Sequence, residues 1–260
     1  MAASPNILLS FDVEEFDLPL EYGQSISIEE QLQIGYNGLQ VITDILNGPG
    51  VSTTLFTTAF FAGHFSNAIK QLSERHEIAS HTFYHTRYTD DDLLQSRLEL
   101  ERIIGKPVTG LRMPRMKAVE AATVLEAGYI YNSSINPTWL PGRYDNRHVS
   151  RRPFLEKGLL QFPVSVTPQR IPLFWLAFKN LPYPVFRKLA LQTLRKDGYL
   201  CLYFHPWEFT DLSEYKLPFY VKSGSKGNLL QKLKHLVKDF SAEGEFVGMQ
   251  DFIQAQGFTK

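Results

Sequence analysis

Residues 78–85 have the sequence IASHTFYH, in which a short apolar run ends on two histidines, His81 and His85. This spacing places both imidazole rings on one side of a helix or a tight turn, where they can bind the same metal ion. Taken alone the pair is a weak signal, because two buried structural histidines show the same spacing. Whether the pair binds a metal ion therefore has to be judged from the residues at the ends of the other apolar segments.

Asp12 and Glu14 end the first of these runs, residues 6–11. Alternate residues of a strand point to the same face, so we expect both carboxylates on one side. One of them can bind a metal ion while the other stays free as a base. The alternative is that Asp12 or Asp17 only caps a helix or a turn.

Arg112 and His205 lie at the ends of two later apolar runs, residues 109–113 and 199–204. An arginine near an unbound carboxylate holds that group ionised and oriented. An imidazole titrates near neutral pH, so His205 is a candidate general acid. The alternatives are a surface arginine in a loop and a histidine of the core.

Strand-like apolar segments alternate with amphipathic helical segments along the whole chain. The predicted strands are residues 6–11, 52–56, 77–80, 109–113, 129–132, 159–166, 199–204 and 245–247, and the predicted helices are residues 28–46, 63–75, 90–104, 118–127, 184–196 and 229–240, with a further helix at the C-terminus. Such alternation indicates parallel β/α units, and in β/α barrels the functional residues follow the strands. We expect an α/β fold, a TIM-like barrel that is complete or incomplete, in one catalytic domain over residues 1–260.

The composition limits the classes of function. The chain has 260 residues, 43% of them apolar, and equal numbers of basic and acidic residues, 27 each. Zero net charge argues against a nucleic-acid partner or a membrane surface recruited by charge. Cys201 is the only cysteine, which excludes an intramolecular disulfide. With no signal-peptide pattern and no transmembrane segment of the ~20 residues a membrane span needs, we expect a cytoplasmic protein.

Four motifs, in this order, resemble those of the polysaccharide deacetylase family, the NodB homology domain of the carbohydrate esterases. They are SFDVE at residues 10–14, HTFYH at 81–85, RMP at 112–114 and LYFHP at 202–206. Two further segments, residues 58–63 and 128–134, are also similar to the family. The resemblance covers most of the chain, from about residue 7 to residue 208.

The resemblance implies a distorted barrel of about seven β/α units and a bound divalent ion. Zinc is the expected ion, with nickel, cobalt and manganese as alternatives. His81 and His85 are then metal ligands and Asp12 is the catalytic base. Arg112 orients Asp12, and His205 is the general acid.

One position departs from the family pattern. The family's second aspartate, a metal ligand, corresponds to Val13, which cannot bind a metal ion. The chain resembles a subset of the superfamily with the pattern D-x-[DE], in which Glu14 replaces the missing ligand. That subset includes relatives that act on small amides. The sequence HPWE at residues 205–208 resembles relatives associated with the synthesis of exopolysaccharide or lipopolysaccharide.

Four residues are candidates for substrate binding. Arg115 stands where many family members have an aromatic residue, so its side chain is expected to influence substrate choice. Trp139 and Tyr144 lie in an arginine-rich segment, residues 139–152, that is either a wall for sugar or phosphate or an ordinary solvated loop. Trp207 follows the candidate acid.

Three functions from different classes follow from these expectations. The first is a metal-dependent hydrolase that removes an N-acetyl group from a saccharide or a saccharide conjugate in the synthesis of surface polysaccharide or lipopolysaccharide. The second is a hydrolase of a small linear or cyclic amide. The third is an inactive module that binds saccharide, against which the presence of Asp12, Arg112 and His205 argues.

Overall fold

The computed structural model describes residues 4–224 and 227–258. The strands of this part of the chain are β1 (Asn6–Val13), β2 (Thr54–Thr57), β3 (Glu77–Ser80), β4 (Gly110–Leu111), β5 (Tyr131–Asn132), β6 (Trp139–Leu140), β7 (Tyr144–Asp145), β8 (Phe154–Glu156), β9 (Leu159–Gln161), β10 (Tyr199–Phe204) and β11 (Glu245–Phe246). Nine of them form one sheet in the order β10-β1-β2-β3-β4-β5-β9-β8, with β11 also paired to β1, and β6 and β7 form a separate hairpin.

The large sheet curls into a half-barrel. Its strands pair in parallel, except for the antiparallel pair β8 and β9. Just beyond β9, the backbone N–H of Ser165 donates to the carbonyl of Cys201 in β10 over 2.9 Å. This contact links the segment after β9 to β10. Residues that follow β1, β3 and β10 surround one mouth of the half-barrel. The architecture agrees with the predicted distorted TIM-like α/β barrel.

The helices surround this sheet and cover its outer face. They are α1 (Leu18–Glu21), α2 (Ile28–Leu46), α3 (Ala59–His64), α4 (Ser66–Leu72), α5 (Asp90–Ile104), α6 (Ala121–Glu126), α7 (Trp175–Asn180), α8 (Tyr183–Asp197), α9 (Phe219–Lys222), α10 (Asn228–Ser241) and α11 (Met249–Ala255), with 3₁₀ turns at Pro114–Met116 and Pro206–Phe209. None of the helices in residues 4–224 and 227–258 combines the length and the apolar character needed to cross a membrane.

Strand β1 shows how the sequence builds two cores. Ile7, Leu9 and Phe11 belong to the cluster that packs under the outer helices. Leu8 belongs to the inner cluster, which α11 helps to fill from the other end. The same alternation carries Asp12 to the inner face, because side chains of a strand alternate between its two faces.

The ends of several predicted strands and helices shift by a few residues, the strand expected at residues 159–166 ends at Gln161, and one predicted helix is divided. The predicted helix at residues 63–75 is two helices, α3 and α4, because the chain turns at Phe65, whose φ is −120° and ψ is 39°. The ring of Phe65 stacks on Tyr36 of α2 at 4.2 Å, and this packing fixes the break. The hairpin β6–β7, strand β8 and the short helices α1, α7 and α9 lie outside the predicted strands and helices.

Candidate active site

A pocket of about 310 Å³ opens at the carboxyl ends of the central strands. Its floor is polar and its walls are mostly aromatic. The predicted site residues in its lining are Asp12, Glu14, His81, His85, Arg115, Tyr144, His205 and Trp207. β/α barrels carry their functional residues at this end.

Glu14, His81 and His85 meet at the floor of the pocket. Their ligand atoms lie within 4.8 Å of one another, and all three residues are buried. The Nε2 atoms of His81 and His85 lie 2.9 and 3.1 Å from the same oxygen, Glu14 Oε2. The predicted Glu/His/His set therefore comes together in space, and its donor atoms are of the types that bind a single metal ion.

The far side of each imidazole ring is held by an oxygen. His81 Nδ1 lies 2.8 Å from the backbone carbonyl of Arg112, and His85 Nδ1 lies 2.8 Å from Asp17 Oδ1. An oxygen acceptor at Nδ1 favours the tautomer with its proton there, which leaves Nε2 free to bind an ion. Histidine ligands of metal ions are commonly supported in this way.

The residues present fit a divalent ion. Glu14 Oε2 is buried, and its close neighbours are the two imidazole Nε2 atoms, so this oxygen and both rings face one point. Burial would raise the pKa of Glu14, but the charges of His85 and His205 and a hydrogen bond from His81 hold it well below its usual value. Burial would lower the pKa of His85, yet the carboxylates of Glu14 and Asp17 outweigh it and raise that pKa to about 9. A bound cation would take the place of this proton.

Asp12 is held by Arg112 on one side of its carboxylate. The guanidinium is fully buried, donates to Asp12 Oδ1 over 2.6 Å and to Ser10 Oγ over 3.0 Å, and lies over the ring of Phe56 at 4.0 Å. Ser133 accepts the remaining hydrogen bonds through its carbonyl and hydroxyl oxygens. Arg112 is therefore a buried orienting residue and not a surface arginine of a loop.

His205 faces the other oxygen of Asp12. Its Nε2 lies 3.8 Å from Asp12 Oδ2, and its Nδ1 lies 3.0 Å from Glu208 Oε1. Glu208 in turn lies 3.7 Å from the ammonium of Lys179, and both side chains are fully buried. Burial would lower the pKa of His205, but the hydrogen bond to Glu208 and nearby carboxylates outweigh it, so that pKa is raised. These contacts favour the protonated form of the candidate acid.

The loop that carries the histidines is shaped by small polar residues. Thr82 adopts a left-handed backbone with φ of 65°, and its N–H donates to Ser80 Oγ over 3.1 Å. Ser96 of α5 donates to the Thr82 carbonyl over 2.8 Å, and the N–H of Ala59 in α3 donates to the same oxygen over 3.0 Å. Residues 81–85 thus form a braced loop and not a helix.

Arg115 lines the pocket beside the candidate metal site. Its guanidinium donates to Asp17 Oδ2 over 2.8 Å, to the His85 carbonyl over 3.1 Å, and to Glu21. Glu21 also pairs with Arg143. The backbone of Arg115 is left-handed, with φ of 57°, a conformation that non-glycine residues seldom adopt outside special sites.

The other three candidates for substrate binding take different positions. Tyr144 lines the pocket, and Trp207 lines it while donating its indole N–H to Glu14. Trp139 is 55% exposed and lies outside the pocket lining, with Arg147 over its ring at 5.5 Å. A role for these residues in substrate binding stays a prediction.

Sequence reasoning missed three supporting residues: Asp17, Glu208 and Lys179. The sequence indicates only a possible cap at Asp17, yet this residue is 2% exposed and contacts both His85 and Arg115. Glu208 had a signal, because it follows His205 by three residues in a turn. No sequence pattern points to Lys179, because its contact with Glu208 depends on how α7 packs.

Comparison with known proteins supports the fold and the motifs. The model of the family described as "Polysaccharide deacetylase" matches residues 34–129, which contain His81, His85 and Arg112. No curated protein matches the chain in sequence.

Solved structures share the fold over nearly the whole chain. A protein from Mycobacterium smegmatis described as a polysaccharide deacetylase has a TM-score of 0.63 at 18% identity, with 100% of this chain and 96% of that chain covered. One from Pseudomonas aeruginosa PAO1 with the same description has 0.63 at 13% identity, with 96% and 89% covered. The Puue allantoinase has 0.62 at 13% identity, also with 96% and 89% covered. The predicted barrel fold is thereby confirmed, and so is the predicted resemblance of this chain to the polysaccharide deacetylase family.

Proposed function

We propose that the protein is a metal-dependent hydrolase that removes an N-acetyl group from a saccharide, in the synthesis of surface polysaccharide or lipopolysaccharide. The observation that carries the proposal is the joint placement of a Glu/His/His set, an arginine-held carboxylate and a carboxylate-held histidine in one pocket. Deacetylation of an amide needs a Lewis acid, a base and an acid, and each has a candidate here.

Glu14, His81 and His85 are the proposed ligands of a divalent ion, zinc by preference. The ion would supply a Lewis acid that polarises a carbonyl group and lowers the pKa of water. Glu14 stands two residues after Asp12, with Val13 fully buried between them. This arrangement supports a place for the chain in the D-x-[DE] subset.

Asp12 is the proposed base and acts through Oδ2. Its Oδ1 is engaged by Arg112, which keeps the carboxylate in one orientation. The free oxygen faces the pocket on the side of His205. Asp12 therefore takes the proton of the water that attacks the acetamide carbonyl.

His205 is the proposed acid and acts through Nε2. Because Nδ1 lies against Glu208, the proton at Nε2 is the one that faces the substrate. Nε2 and Asp12 Oδ2 are 3.8 Å apart, so base and acid can serve the same tetrahedral centre. His205 gives its proton to the amine as the carbon–nitrogen bond breaks.

The pocket walls favour an uncharged sugar unit next to the reacting carbonyl. Tyr22, Tyr144, Trp175 and Tyr220 line them, and aromatic faces suit the apolar faces of sugar rings. The two arginines of the lining, Arg115 and Arg143, are both paired with carboxylates. Because both guanidinium groups are already paired, they argue against a phosphate-binding wall in this pocket.

Hydrolysis of a small linear or cyclic amide is the second candidate. The structural similarity to an allantoinase over 96% of this chain favours it, since the same groups can attack any amide carbonyl. A polymer is not needed to fill a pocket of about 310 Å³.

The test is turnover by the metal-loaded protein, measured as acetate release from N-acetylhexosamine conjugates and as hydrolysis or ring opening of a panel of small amides and cyclic ureides. The proposal predicts acetate from the sugar conjugates, and that Asp12→Asn abolishes it while the metal stays bound. Turnover of the ureides alone would replace the first candidate by the second.

A further inference from the structure

The indole of Trp207 reaches the candidate metal ligand Glu14. Trp207 is 3% exposed, and its Nε1–H donates to Glu14 Oε1 over 2.9 Å. The other oxygen of the same carboxylate, Oε2, lies against the two histidine rings. The two oxygens of Glu14 therefore have different partners.

We propose that Trp207 is a positioning residue that makes Glu14 a one-oxygen metal ligand. The hydrogen bond occupies Oε1 and fixes the rotation of the carboxylate, so Oε2 alone is presented between His81 and His85. This inference rests on the metal site of the proposed function and deepens it. It explains how a glutamate can bind an ion when Val13 occupies the position of the family's usual ligand.

A carboxylate on the longer glutamate side chain needs such a support. Glutamate has one more rotatable bond than aspartate, and an unsupported carboxylate would present either one or both oxygens. Each immobilised side chain loses rotamer entropy when the ion binds. A donor that fixes the carboxylate beforehand removes part of this cost, as supporting hydrogen bonds do at other metal sites.

Helix α2 contacts the backbone at both Glu14 and Trp207 and so fixes their relative positions. A Cβ atom at Gly35 would lie 2.3 Å from the carbonyl oxygen of Glu14, and one at Gly38 would lie 2.2 Å from the carbonyl oxygen of Pro206. Residues three apart share a face of a helix. One face of α2 thus contacts the backbone beside Glu14 and the backbone beside Trp207.

The indole ring itself is fixed by aromatic neighbours. It stacks on His205 with centroids 4.7 Å apart, and Phe16 packs against it at 5.1 Å. Trp175 packs edge-on against it at 5.7 Å. The N–H therefore has little freedom to turn away from Glu14.

The test compares Trp207→Phe with a matched control, Trp139→Phe, in zinc titrations of the metal-free protein. Trp207→Phe keeps an aromatic ring but removes the donor, and we expect zinc affinity to fall about 10–100-fold. Trp139→Phe also removes an indole, but at a 55% exposed position outside the pocket lining, and its zinc affinity should stay within about threefold of wild type. Both variants are checked by circular dichroism and thermal melting.

The absorption spectrum of the Co²⁺-loaded protein separates positioning from general loosening. If Glu14 turns to offer both oxygens, the coordination number rises and the visible bands of Co²⁺ weaken. We expect this change in Trp207→Phe and not in Trp139→Phe. If Trp207→Phe does not fold, site-specific replacement of Trp207 by β-(3-benzothienyl)alanine removes only the N–H.

Zinc affinity within threefold of wild type and an unchanged Co²⁺ spectrum, in Trp207→Phe or the benzothienyl protein, would overturn the inference. The proposed function would survive that result. Failure of the wild-type protein to bind either ion would instead overturn the proposed metal site itself.

Discussion

Asp12 shares its two oxygens between two partners: Oδ1 accepts a hydrogen bond from Arg112 over 2.6 Å, and Oδ2 lies 3.8 Å from His205 Nε2. This division gives the carboxylate one held oxygen and one available oxygen. It also links the candidate base to the candidate acid across the space where a substrate carbonyl would lie.

Arg112→Lys should impair turnover without removing the metal. Lysine keeps the positive charge but cannot form the forked contacts to Asp12, Ser10 and Ser133, so the base loses its orientation. We expect kcat to fall at least ~100-fold with zinc content unchanged, because misplaced catalytic groups cost this much. Arg102→Lys, at a 69% exposed position, is the control. Loss of zinc from Arg112→Lys would contradict the assignment.

Zinc binding should release a proton. In the metal-free protein the pKa of His85 is raised to about 9, so this ring is protonated at pH 7 and must lose its proton to bind an ion. Zinc affinity should therefore fall about tenfold per pH unit below about 9. Calorimetric titrations in two buffers of different ionisation enthalpy measure the released proton directly, and equal heats in both would be the contrary result.

The same raised pKa affects the stability of the metal-free protein. The usual pKa of histidine is near 6.5, so the charged His85 stabilises the fold fully below that pH. This contribution is lost as pH rises through the folded-state value of about 9. The melting temperature of the metal-free protein should fall between these two pH values, and His85→Gln should flatten the fall.

Glu208→Gln should move the basic limb of the rate profile to lower pH. The carboxylate of Glu208 raises the pKa of His205, so its removal makes His205 lose its proton, and its activity as an acid, at lower pH. The change also leaves Lys179 buried without a counter-charge, so the free energy of unfolding should fall by about 3–5 kcal/mol. The double variant with Lys179→Met should regain stability but keep the shifted profile. An unmoved profile in both proteins would exclude this role for Glu208.

Gly38→Ala should disrupt the site from a distance. The new methyl group would lie 2.2 Å from the backbone oxygen of Pro206 and 2.7 Å from the nitrogen of Trp207. Because overpacking forces the backbone to shift, we expect the free energy of unfolding to fall by ~1–3 kcal/mol. We also expect zinc to bind more weakly. Gly63→Ala in α3, where no atom lies within 4 Å of the new carbon, should be neutral or slightly stabilising. Equal melting temperatures for the two variants would argue against close packing at Gly38.

The sequence predicted the parts of the site that have a local pattern. Alternation along β1 placed Asp12 and Glu14 on one face, and the apolar run of β10 placed His205 at a strand end. Helices α2 and α5 have the predicted bounds, since their caps and apolar periodicity are both clear. These features depend on neighbours in the chain.

The rest depends on packing between distant segments, which no local pattern records. Trp207 and Glu14 are 193 positions apart, and their hydrogen bond exists because Gly35 and Gly38 let α2 contact both backbones. Asp17 supports His85 only because the loop of residues 81–85 folds over the end of β1. The division of residues 63–75 into two helices likewise follows from the stacking of Phe65 on Tyr36.

The most direct test of the account is the metal content of the purified protein and of two variants, Asp12→Asn and His81→Ala, after equilibration with zinc. The account predicts about one ion per chain in the wild type and in Asp12→Asn, which should be inactive, and none in His81→Ala. A wild type that takes up no ion, or a fully metallated and active His81→Ala, would contradict it.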